Sequence, residues 1–261
     1  MLPGDGVIEA AGDDACMSME SLEQLRGEQE RILALPGRAA FVQVARLART
    51  AKLFAGNADA LIGHLNRMQD PTLRLPIWGD RRLFEEFLDE TERHLHNYTA
   101  AAHTRMDYLR RFTSAAWPES SPFREEYQRR VAEDFDASPL HNFVTDLRNL
   151  ILQKRLPVST AAESWERGSG WRFQVMLDAG DLLGWDGWSA QARKYIKASG
   201  DSVDLSRTVG SYTSAVITLD RWVAECFVGN HVEEIESYQR TLRDYRALVR
   251  RLGLHDDLEA T

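Results

Sequence analysis

Apolar side chains recur every three to four residues along most of this chain, the period of helices that bury one face. Leu22, Leu25, Ile32 and Leu33 predict a first helix over 18–35, closed by Pro36-Gly37. A second follows, in which Phe41, Val44, Leu47, Ala48, Ala51 and Phe54 keep the period. Gly56-Asn57 reads as a soft spot before 58–68 resumes it, and Pro71 and Pro76 mark a loop.

The longest stripe runs over 80–116, through Leu83, Phe84, Phe87, Leu88, Thr91, Leu95, Tyr98, Ala102, Met106, Leu109 and Phe112. Such length suits the spine of a bundle. Pro118 ends it, and Pro122 starts a helix carrying Phe123, Tyr127, Val131 and Phe135 at four-residue steps. Ser138 and Pro139 then predict an N-cap and first turn for a helix with Leu140, Phe143, Val144, Leu147, Leu150 and Ile151 inward, stopping at Pro157.

The period changes to two where Trp171, Phe173, Val175 and Leu177 alternate with Arg172, Gln174 and Met176. With Gly168 and Gly170 between this run and 158–165, the pattern predicts a β-hairpin near 158–177. Helices resume at about 189–198, 205–228 and 231–252. The expected fold class is mainly α: an antiparallel helical bundle with one inserted β-hairpin. A frayed tail over 1–17 precedes a single domain over 18–261.

Composition narrows the function classes. Hydrophobic residues at 43% and charged residues at 28% suit a globular core, and a net charge of −8 argues against coating nucleic acid through bulk positive charge. Cys16 and Cys226, far apart, support neither a disulfide framework nor a thiolate zinc site, and suit a reducing cytoplasm. No apolar run approaches the ~20 residues of a membrane-spanning helix, so no membrane partner is expected. Phosphate-binding loops, nucleophile elbows, dinucleotide fingerprints and H-E-x-x-H motifs are absent, and no cofactor is implied.

The segment over 147–157, with Arg148-Asn149 near its start and Gln153-Lys154-Arg155 near its end, resembles the signature helix of the HEPN family. Members of that family are helical bundles, commonly dimers, and many are metal-independent ribonucleases. Their motif is an Arg, then a polar residue, with a His four to six positions after the Arg. Arg148 and Asn149 match the first two positions, whereas Gln153 stands where the His is expected and has no proton to exchange near neutral pH. The resemblance thus implies a homodimer in which Arg148, Gln153, Lys154 and Arg155 bind an RNA or nucleotide phosphate without full catalytic equipment. The plainer alternative pairs Arg148 with a carboxylate such as Asp146 or Asp134 and makes the chain a purely structural interaction protein.

On the long helix, Glu92, His96, His103 and Asp107 share one face at four- and seven-residue steps. In an enzyme reading Arg148 and Asn149 hold the scissile phosphate of RNA, and His96 or His103 supplies the proton transfer. His96 and His103 lie roughly 10 Å apart along the helix axis, too far to share one metal, so no metal is expected. Arg240, Arg243, Arg246, Arg250 and Arg251 line the last helix, but interleaved acids suit a solvated face better than a phosphate track. Trp171, Trp185 and Trp188 read as packing around the hairpin.

Overall fold

The computed structural model describes residues 19–153, 159–166, 170–252 and 254; the N-terminal segment read as a frayed tail lies outside them. The fold is mainly α, a helical bundle carrying an inserted hairpin. In chain order the helices are α1 (Met19–Ala34), α2 (Pro36–Asn66), α3 (Pro71–Gly79), α4 (Arg81–Ala116), α5 (Pro122–Val131), α6 (Pro139–Gln153), α7 (Ala179–Leu183), α8 (Ala190–Ala198), α9 (Leu205–Asn230) and α10 (Val232–Arg251). The strands are β1 (Ser159–Glu166), β2 (Gly170–Asp178) and β3 (Ser202–Asp204).

Two compact units form, one from 1–46 with 227–261 and the other from 47–226. In the first, Ile32, Tyr238 and Leu242 make a buried cluster against which Leu35, Phe41 and Tyr245 pack. In the second, α4 is the spine. Phe54 packs on Tyr98 and the His64 ring stacks on Phe87, so α2 and α4 run antiparallel. Tyr98 donates to the carbonyl of Val209, and Arg105 meets Asp220, so α9 runs parallel to α4. α6 packs on α4 and lies antiparallel to α8: Phe143 stacks on Trp188 and meets Tyr195 at a tilt, and Asp146 accepts from the Ser189 N–H.

The structure departs from the sequence pattern in four places. α2 is continuous through Gly56-Asn57, because Phe54, Ala58 and Leu61 are buried and outweigh the cost of about 1 kcal/mol of one helical glycine. The expected loop at Pro71 and Pro76 is helix α3, started by Asp70, whose carboxylate accepts from the Thr72 N–H and hydroxyl. Asp178 likewise caps the short α7, which periodicity cannot reveal in five residues. Finally, β3 pairs antiparallel with 176–178 and extends the hairpin to three strands in the order β1-β2-β3. Beyond the end of β3, Gln69 covers the β2 edge by accepting from the Phe173 N–H and donating to its carbonyl.

Candidate functional site

Ser138 caps α6 through its hydroxyl, accepting from the His141 N–H at 3.4 Å, and Pro139 occupies the first turn. The apolar positions Phe143, Val144, Leu147 and Leu150 are buried. That phase places Arg148 and Asn149 on half-buried flanks and Gln153 exposed at the last residue. Arg148 makes no hydrogen bond or ion pair with any described residue. Asp146 accepts from the Ser189 N–H at 2.8 Å and Asp134 is exposed, and neither is ion-paired to Arg148. Lys154 and Arg155 lie outside the described residues.

His96 and His103 are both exposed on α4. His103 lies 3.4 Å from the Asp107 carboxylate, whose other oxygen accepts from Arg110 at 2.9 Å. No hydrogen bond or ion pair joins either histidine to Arg148 or Asn149. Among the described residues, no three His, Cys, Asp or Glu side chains converge as a metal requires.

His103 instead bears on a histidine that sequence reasoning passed over. His141 Nδ1 lies 3.1 Å from the Tyr212 hydroxyl, its ring stacks on Tyr212, and Phe135 meets it edge-on. Burial lowers its pKa below 6.5, against Asp136, which raises it, while Arg110 and His103 lower it further. The signal was present in the sequence: His141 precedes Arg148 by seven residues, two turns on one face.

Among the described residues, the largest fully buried side chain is that of Arg105, in unit 47–226. Its Nε donates to Asp220 Oδ2 at 3.0 Å and Nη2 to Asp220 Oδ1, while Nη1 donates to the Leu47 carbonyl at 3.1 Å and to the Thr50 hydroxyl. Burial draws its pKa down to about 10, which leaves it charged at neutral pH. Arg105 falls at an apolar phase of the long stripe, three residues after Ala102 and four before Leu109. That phase could have revealed its burial. Nothing local could have named Asp220, 115 residues away.

Trp185 and Trp188 are buried and meet edge to face at 5.0 Å, in keeping with packing. On α10, Arg240, Arg243, Arg250 and Arg251 are exposed, and the Nε atoms of Arg250 and Arg251 each donate to a carbonyl four residues back. The last two serve the helix end, where positive charge is favoured. Set against protein-family models, curated proteins and solved structures, the chain finds no match.

Proposed function

We propose that this chain is a HEPN-like binding or regulatory module that holds an RNA or nucleotide phosphate at the Arg148 face of α6 and lacks full catalytic equipment. The supporting observation is Arg148 itself: a half-buried arginine beside Asn149, with no ion pair to a described residue. A guanidinium is a rigid fork of donors suited to a phosphate's oxygens. Gln153, exposed where the motif histidine would stand, binds but does not exchange protons.

The test uses fluorescence anisotropy with a single-stranded RNA in chelator, alongside gel analysis of the same RNA. The native protein binds without cleaving, and Arg148→Ala weakens binding roughly tenfold, the effect of losing one charge-assisted hydrogen bond. Gln153→His restores cleavage by about 10²–10⁴-fold if the site is otherwise complete. Binding unchanged by Arg148→Ala overturns the reading.

The enzyme reading has its own supporting observation, the His103–Asp107 pair, in which a carboxylate orients an exposed histidine. Chelator-resistant cleavage by the native protein, lost in His103→Ala or His96→Ala, would favour it.

A further inference from the structure

A cavity of about 490 Å³ opens in unit 47–226 where β2 and β3 meet the C-terminal end of α8 and the first turns of α6 and α9. Its volume falls in the range of about 300–1,000 Å³ found for small-molecule sites. Leu140, Met176 and the Tyr195 side chain give it an apolar wall, Ser211 a hydroxyl, and Asp204 and Arg207 two opposite charges.

Those charges do not neutralise each other. No ion pair joins Asp204 to Arg207, although both line the cavity. The Asp204 carboxylate is instead positioned by two neutral donors, the Gln174 amide at 2.7 Å and the Arg207 backbone N–H at 2.9 Å. Arg207 is exposed, and its guanidinium forms no ion pair among the described residues. Tyr195 is fixed by a 2.9 Å hydrogen bond to Thr208, so its part of the wall is held in place.

We propose that this cavity binds a small zwitterion, an α-amino acid with an apolar side chain. Its carboxylate meets the Arg207 fork, its ammonium meets Asp204, and its side chain lies on Leu140 and Met176. A simple anion would be repelled by Asp204, and a simple amine would leave Arg207 uncompensated. The site is separate from the Arg148 face and stands whether or not that face binds RNA.

Isothermal titration of the full chain with L-leucine, L-methionine, 4-methylpentanoate and 3-methylbutylamine tests the inference, because the last two are leucine without its ammonium and without its carboxylate. The amino acids bind saturably, and each single-charge analogue binds at least about tenfold more weakly, as expected for loss of one charge-assisted contact. Arg207→Gln, an exposed change, weakens L-leucine by a similar factor. Asp204→Asn, which keeps the helix cap, does so while leaving 4-methylpentanoate no worse bound. Equal binding of the analogues, affinity indifferent to Arg207→Gln, or no saturable binding up to about 10 mM, where even millimolar affinity registers, would overturn the proposal.

Discussion

Arg105 shows what a single residue costs and contributes in this fold. Four donor contacts satisfy its guanidinium inside the protein, two of them on Asp220, so the pair is well matched where either charge alone would be stranded. Asp220→Ala should therefore destabilise by about 3–5 kcal/mol in urea denaturation. Replacing both partners, Arg105→Met with Asp220→Leu, should cost less than that single change. A loss under 1 kcal/mol in the single variant would show that the charge finds other compensation. His64 and His141 set a pH response. Burial is the largest cause holding each below the ordinary histidine value of 6.5. His64 also feels His94, Arg67 and Glu90, and donates from Nε2 to the Phe87 carbonyl at 3.1 Å. The unfolded chain takes up protons as pH falls through 6.5 while the folded chain resists, so stability is full above that value and declines below it. Thermal melts between about pH 7.5 and 5.5 should show the melting temperature dropping, with a smaller drop in His64→Gln. A flat profile would mean the two rings reach solvent more readily than their packing implies.

At the scale of elements, two glycines in the same helix have opposite meanings. A Cβ on Gly37 would stand 1.9 Å from the Glu234 carbonyl oxygen and 3.0 Å from the Tyr238 Cβ, so the first turn of α2 approaches α10 at backbone distance. A Cβ on Gly56 would meet nothing within 4 Å. Gly37→Ala is expected to destabilise by about 1–3 kcal/mol through overpacking, whereas Gly56→Ala should stabilise by roughly 0.5–1 kcal/mol through reduced backbone entropy in the unfolded chain. Melting temperatures of the two variants should move in opposite directions; an unchanged or raised melting temperature for Gly37→Ala would refute the close approach there. Caps explain why the elements begin where they do. Asp70, Asp80, Ser121, Asp178 and Ser189 each accept a backbone N–H of the first turn, and three of the five helices they start, α4, α5 and α8, were legible in the sequence, whereas Pro71 and Pro76 made α3 read as a loop. α7 is too short to show a helical period.

At the scale of the whole molecule, the net charge of −8 makes nonspecific adhesion to RNA unfavourable, so any binding at Arg148 must come from local geometry. With few phosphates neutralised, the affinity should fall only shallowly with salt. The HEPN-like reading also carries an expectation of two-fold association that brings the two α6 helices together. Light scattering at micromolar concentration should then report about twice the chain mass of 29.7 kDa. A mass that stays at 29.7 kDa would remove any site built from two copies. No described helix is long and apolar enough to cross a membrane, in line with the absence of such a run in the sequence.

The sequence by itself determined the helical class, the spine over α4, the capped start of α6 and the change of period that makes the hairpin. Each is a local matter, since a stripe, a cap or an alternation is written within a few turns of chain. It also set Arg148 and Asn149 side by side, with Gln153 five residues after Arg148. Tertiary structure alone decided which distant groups meet: Arg105 with Asp220, His103 near His141, Gln69 with the β2 edge, and the apolar wall from three other elements that faces Asp204 and Arg207. Such pairings depend on how helices cross and at what register. Periodicity fixes only which face of a helix turns inward, and leaves open which residue of a distant element lies opposite it.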